Sequence, residues 1–171
     1  MGWIGTRGNL KYLENLLEVL KKIEKNFPNV RFLVVCDQSS SLLEKQLKGY
    51  HFIRWSKEKE VANFHKIDIG LMPLADDEWT RGKCGFKLLQ YMSCGIASVA
   101  SPVGVNKTIV QDGVNGFLAK NDEEWFLKLS QLIQDEKLRE KMGKKARQTI
   151  IKKYSTAKNF QKLKKVIDTL N

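Results

Sequence analysis

Two histidines, His51 and His65, are all this chain offers, and neither has a serine or cysteine beside it. A nucleophile and base of the acyl-transfer kind is therefore not visible. Cysteine is scarce too. Cys36, Cys84 and Cys94 are an odd number at wide, irregular spacings, which suits neither a disulfide framework nor paired zinc ligands and points to a reducing, cytoplasmic setting. No apolar run approaches the ~20 residues needed to span a bilayer. The apolar start, Met1 to Ile4, breaks at once into Gly5, Thr6, Arg7 and Gly8, leaving no h-region for a signal peptide. Internal repeats and low-complexity linkers are missing as well. With 171 residues and 42% hydrophobic content, the chain is expected to form one domain, 1–171, whose core needs no disulfide or metal.

Acidic residues are scarce at one end. The formal net charge is +11, and from Lys137 onward twelve basic residues face only Glu140 and Asp168. Clustered lysine and arginine would suit nucleic-acid phosphates or the anionic surface of a membrane. They equally describe a solvated helix face.

What is present is an alternation of short apolar runs with helical stretches. After an opening strand, Trp3 to Gly5, residues Leu10, Leu13, Leu17 and Leu20 recur at helical spacing between Asn9 and Asn26, and Pro28 follows the end. Arg31 to Cys36 is an apolar, β-branched run of the kind covered on both faces of a sheet. A polar break leads to a helix near 42–47, a strand over 52–55 and a helix over 58–66. Ile67 to Met72 is the next strand, ended by Pro73, and a polar loop is expected from Ala75 to Cys84. A helix over 86–92 is closed by Cys94 and Gly95, and Ala97 to Ala100 forms a strand. A short helix near 106–110, a turn at Asp112 to Gly116 and a brief strand at 117–119 follow. From Asp122 onward the pattern is helical, with a tail over about 136–171. This order predicts a doubly wound, Rossmann-like α/β domain: a parallel sheet with helices on both faces.

In such sheets ligands bind beyond the C-terminal strand ends, and three loops there are unusual. Gly5, Thr6, Arg7 and Gly8 combine two glycines with a hydroxyl and backbone amides that could hold phosphate oxygens; the same residues also suit a plain β-to-α turn capped by Asn9. Gly82, Lys83, Cys84 and Gly85 precede a helix starting near Phe86, so amides, helix dipole and the Lys83 and Lys87 ammonium groups face one place, as a diphosphate site requires. Gln90 lies one turn further along the Phe86 and Lys87 face, within reach of a sugar hydroxyl. Trp55, at a strand end, could flank a nucleobase or belong to the core. Asp76, Asp77 and Glu78 suggest a cation loop, but with Trp79 and Arg81 beside them they read better as solvated.

The stretch GKCGFKLLQYMSCGIASVASPVGVNKTIVQDGVNGFLA, Gly82 to Ala119, resembles the signature of retaining glycosyltransferases built from two Rossmann-like domains (the GT-B fold, group 1 or family 4), and the likeness to their C-terminal, donor-binding domain covers nearly the whole chain. The resemblance implies a nucleoside diphosphate sugar as ligand, with no obligatory metal and no other cofactor. It places Lys83, Cys84, Gly85 and Phe86 on the sugar and diphosphate largely through amides, with Gly5 and Thr6 opposite, Lys87 beside them, Gln90 on the ribose and Trp55 near the base. It also implies hexosyl transfer to a saccharide or lipid-linked acceptor, as in polysaccharide biosynthesis, and an N-terminal acceptor domain absent from this chain, so that the chain alone transfers little. Nucleic acid is not the expected partner. The basic tail is instead expected to allow peripheral contact with the inner face of a membrane. Two positions depart from the family pattern: Gly82 and Gln90 stand where its glutamates for sugar and ribose are often found.

Overall fold

The computed structural model describes residues 1–169; Leu170 and Asn171, the end of the expected helical tail, lie outside the described residues. Among the described residues six strands form one wholly parallel sheet: β1 (Gly2–Ile4), β2 (Phe32–Cys36), β3 (Tyr50–Arg54), β4 (Ile69–Met72), β5 (Ala97–Ala100) and β6 (Phe117–Leu118). Their spatial order is β3, β2, β1, β4, β5, β6. The helices are α1 (Leu10–Glu14), α2 (Leu17–Asn26), α3 (Ser41–Gln46), α4 (Glu60–Phe64), α5 (Glu78–Arg81), α6 (Phe86–Ser93), α7 (Asn106–Ile109), α8 (Asp122–Gln134), α9 (Glu136–Thr149) and α10 (Thr156–Asp168).

The apolar runs become strands buried on both faces because successive side chains point to opposite sides. Phe32, Val34 and Cys36 pack with Leu13, Leu20 and Leu43 of α1, α2 and α3 and with Leu129 of α8. Leu33 and Val35 point the other way, onto Phe64 of α4 and Tyr91 of α6. Further along the sheet, Met72 and Ala100 meet Leu88, Met92 and Ile109 on that second face. The doubly wound arrangement is thus set by residue alternation within each strand.

Helix starts follow local hydrogen-bond chemistry. Ser40, Asn121 and Asp135 each accept the amide of the residue three positions on, opening α3, α8 and α9. Two expectations are corrected. The single helix over 9–26 is interrupted: Leu16 bonds back to Leu13, three residues rather than four, and the local tightening separates α1 from α2. The polar loop over 75–84 contains a helix, α5, because Asp77 and Thr80 cap each other reciprocally, Asp77 Oδ1 accepting the Thr80 amide at 2.7 Å and Thr80 Oγ1 accepting the Asp77 amide at 3.2 Å. Asp76 pairs with Arg81 at 2.7 Å. These carboxylates are thereby engaged in holding the loop.

The strand order reverses between β1 and β4, later strands being added on the other side of β1, and these two parallel strands share a single residue pair, Gly2 with Gly70. Tyr91 fills the split. Its hydroxyl accepts the Ile4 amide at 3.1 Å and lies 3.2 Å from the Leu71 carbonyl and 3.3 Å from that of Gly2, to which it donates. Gly70 makes room for the ring, since a Cβ there would sit 2.7 Å from Tyr91 Cγ. Burial pushes the phenol pKa up, so the hydroxyl stays protonated as this bridge requires. Opening the sheet at this point creates the crevice in which the candidate site lies.

At the far end, Met142, Gly143 and Ala146 of α9 are buried. The chain then passes through a π turn, Ile150–Tyr154. Helix α10 has no buried residue and exposes Phe160, Leu163, Val166 and Ile167.

Candidate functional site

Two adjoining clefts occupy the C-terminal ends of β1 and β4, at the topological switch point where open α/β sheets bind ligands. One, about 430 Å³, is lined by Gly5, Thr6, Trp55, Phe86, Lys87 and Gln90 together with Ile4, Asn9, Asp37 and Glu60. The other, about 390 Å³, is lined by Lys83, Cys84, Gly85, Phe86 and Lys87 with Asn9, Tyr12, Gly82 and the chain leaving β4. Asn9, Phe86 and Lys87 belong to both, so the clefts form one trough. Every residue that the resemblance assigns to the donor lies along it, whereas Arg7, Gly8, Asp76, Asp77 and Glu78 do not line it. His51 and His65 do not, and among the described residues no three His, Cys, Asp or Glu side chains converge to hold a metal.

The floor of the trough is the start of α6. Gly85 caps it with φ +68°, a left-handed conformation that costs a side-chain-bearing residue about 1–2 kcal/mol. The amides of Cys84, Gly85, Phe86 and Lys87 meet no acceptor among the described residues, so residues that line the cleft carry four unbonded N–H groups at the positive end of the helix dipole. Lys83 differs from the expectation: its amide already bonds the Thr80 carbonyl at 3.2 Å, a consequence of α5, and only its side chain is available. That ammonium bonds Asn9 Oδ1 and lies 5.0 Å from the Tyr12 ring centroid.

Across the trough, the opening loop is also more constrained than its composition suggests. Gly5 gives its amide to Val35 at 3.0 Å and Arg7 gives its own to Asp37 Oδ1 at 2.7 Å. Thr6 keeps a free amide, and its hydroxyl accepts from Asn9 Nδ2 at 2.9 Å. The reason for glycine at position 5 is packing: a Cβ would lie 2.5 Å from the Trp3 ring and 3.0 Å from Lys87 Nζ.

Lys87 is the central charge. Its side chain is partly buried, with the amino group over the Trp3 indole, 4.0 Å from the ring centroid. Desolvation, reinforced by the charge of Lys83, lowers its pKa from the ordinary lysine value to about 7. Desolvation also lowers that of Lys83. Two cations crowded without a carboxylate partner, among unbonded amides, form a site short of an anion. At the other end, Glu60 accepts from the Trp55 indole and the Gln90 amide, each at 3.3 Å. Glu60, Asp37 and Tyr12 escape sequence reading, and Asn9 reads only as a cap, because they come from three other segments and meet the signature loop only through the strand order.

A sheet of this order with a crevice at its switch point defines a Rossmann-like domain. The family model described as Glycosyl transferases group 1 matches residues 3–149, and the chain belongs to that family. It is 26% identical to an uncharacterized glycosyltransferase of Methanocaldococcus jannaschii, the match covering 98% of this chain and 44% of that protein; the chain therefore spans less than half the length of this curated relative. Among solved structures, the C-terminal domain of the group 1 glycosyl transferase LpcC from Francisella tularensis superposes with a TM-score of 0.74 at 22% identity, over 91% of this chain and 86% of that one. Anabaena HepE, solved in complex with UDP and glucose, gives a TM-score of 0.79 at 16% identity over 98% of this chain and 47% of HepE. The GT-B C-terminal fold is shared with these two solved structures. No helix among the described residues is long and apolar enough to cross a membrane.

Proposed function

We propose that this chain is the donor-binding half of a glycosyltransferase and holds a nucleoside diphosphate sugar along the switch-point trough. The observation that carries the reading is the set of four unbonded amides from Cys84 to Lys87, flanked by two lysines that lack acidic partners. An anion is what such a constellation lacks, and a diphosphate has the charge and the spread of oxygens to satisfy it. Helix dipole and ammonium groups supply the positive charge that a divalent cation would otherwise bring, so no metal is required. The base lies toward Trp55, the ribose near Gln90, and the transferred sugar toward Lys83, Cys84 and Gly85. Gly82 offers the sugar no side chain, which leaves its recognition to backbone groups and to the neighbouring Lys83 and Asn9.

Transfer needs an acceptor site and exclusion of water, which one Rossmann-like half does not supply. The complete enzyme then transfers a glycosyl unit to a saccharide or lipid-linked acceptor with a second domain contributing, and this chain alone binds donor without appreciable turnover. UDP is the first nucleotide to try, because the structurally similar HepE was solved with it. Calorimetric titration with UDP, GDP and ADP is expected to give saturable binding of at least one. Gln90→Ala is expected to weaken it by about tenfold, the loss of one or two hydrogen bonds. Absence of binding by all three nucleotides would defeat the proposal.

A further inference from the structure

Glu60 opens α4 at the end of the trough farthest from Lys83, and its bonding is incomplete. The side chain is partly buried. One oxygen, Oε1, is shared between the Trp55 indole N–H and the Gln90 side-chain amide, both at 3.3 Å, beyond the usual range for N–H donors. The other oxygen, Oε2, meets no donor among the described residues. Among the described residues no ion pair engages the carboxylate, although Lys57 and Lys59 flank it in sequence. A carboxylate accepts at two oxygens with about four lone-pair directions, so most of this capacity is unspent while the group lines a cleft.

The ligand chemistry that matches is a pair of adjacent hydroxyls, two O–H donors spaced for one carboxylate. An anion does not match, because it would be repelled. The polarity of the trough repeats the point: Glu60 and Asp37 stand at one end, and Lys87 and Lys83 follow toward the other. Asp37 is the weaker candidate of the two, since one of its oxygens already accepts the Arg7 amide at 2.7 Å and the Cys36 thiol at 3.2 Å. Gln90 has its NH₂ turned to Glu60 and offers a ligand mainly its carbonyl. An amide carbonyl alone accepts less strongly than a carboxylate.

We propose that Glu60 grips the ribose 2′ and 3′ hydroxyls of the donor, supplying from α4 the carboxylate that position 90 lacks, with Gln90 as its neighbour and Trp55 as its brace. The assignment rests on the donor-site reading above. It fixes the direction of the ligand, with the nucleoside at the Glu60 end and the diphosphate over α6.

The test compares UDP, GDP and ADP with their 2′-deoxy counterparts on the whole chain, for the native protein, Glu60→Gln and Trp55→Phe. Glutamine keeps the size of the side chain but replaces one acceptor with a donor. The native chain is expected to prefer the ribonucleotide by about tenfold, the worth of a hydrogen bond to a charged group. That preference is expected to fall to near unity in Glu60→Gln and, whatever the change in overall affinity, to persist in Trp55→Phe, which removes the indole N–H that braces Glu60 and keeps an aromatic face. A purely structural role for Glu60 would lower affinity for ribo and deoxy forms alike and leave their ratio unchanged; that result, or equal binding of both forms by the native chain, overturns the inference while leaving the donor reading in place. If none of the nucleotides binds, both fall together.

Discussion

Lys87→Met is expected to weaken UDP binding by about 10- to 100-fold, the worth of one or two charge-assisted hydrogen bonds in a desolvated site, without lowering the unfolding temperature. Methionine keeps the apolar stem that packs beside Trp3 and removes only the amino group over the indole. Among the described residues that group has no anionic partner, so its loss in the free protein removes a desolvation cost. The pH dependence has a definite sign. With a pKa of about 7 in the empty site, Lys87 is mostly neutral above that value, whereas a bound diphosphate favours the charged form. Binding then takes up a proton, and affinity declines as pH rises from about 7 toward the higher pKa of the complex, by up to tenfold per pH unit. Titrations in buffers of different ionisation heat read the proton uptake directly. Unfolding obeys the same linkage. Between about 7 and the unfolded lysine value near 10.4 the unfolded chain binds the extra proton, so this group makes stability rise with pH. Lys87→Met should flatten that rise. A binding constant that does not change with pH in the native chain would remove Lys87 from the anion site.

Gly85→Ala is expected to cost about 3 kcal/mol, combining the left-handed penalty with overpacking, and to lower Tm by roughly 10 °C for a chain of this size. The backbone at φ +68° excludes a side chain in comfort, and the new Cβ would lie 2.6 Å from Ile109 Cδ1 and 3.1 Å from Val105 Cγ2. Relief by rotating the peptide would turn the Gly85 and Phe86 amides away from the trough, so nucleotide affinity should fall along with stability. Gly82→Ala is the control. A Cβ there meets only the Trp79 carbonyl, at 3.6 Å, and stability should be nearly unchanged. Thermal unfolding of the two variants side by side checks the pair; equal midpoints would show that the turn does not depend on glycine at position 85.

Much of the scaffold is legible in the sequence because the physics that forms it is local. Arg31 to Cys36 and Ile67 to Met72 are apolar on both alternations, which only a strand covered twice can satisfy, and the structure buries every residue of the strands within them. The interruption between α1 and α2 is not legible: Leu10, Leu13, Leu17 and Leu20 stay in phase across it, so periodicity carries no trace of the tightened turn. Helix α5 hides for a different reason. Three of its residues, Glu78, Trp79 and Arg81, are exposed and show no apolar stripe, and the signal that does exist, Asp77 followed three residues later by Thr80, uses a threonine where a glutamate or glutamine is the usual sign of a capping box.

At the site the division is similar. A loop of Gly, Lys, Cys and Gly ahead of an apolar helix announces amides and charge together, so Lys83 to Lys87 can be found from sequence. Which amides remain free cannot, since those of Lys83, Gly5 and Arg7 are consumed by Thr80, Val35 and Asp37. Glu60 carries no local mark at all. It reads as an ordinary acidic residue in the first turn of a short helix, and becomes part of the trough only because Trp55 and Gln90 are brought to it through the sheet.

The most direct test of the central claim is amide-shift mapping by NMR as UDP is added to the isotope-labelled chain, with GDP and ADP in parallel. The account predicts that the largest changes fall on Thr6, on Cys84 to Lys87, on the Gln90 side chain and on the Trp55 indole. Changes centred instead on the cleft near the N-terminal ends of β2 and β3, around Arg31, Lys48 and His51, or on the basic face of α10, would contradict it.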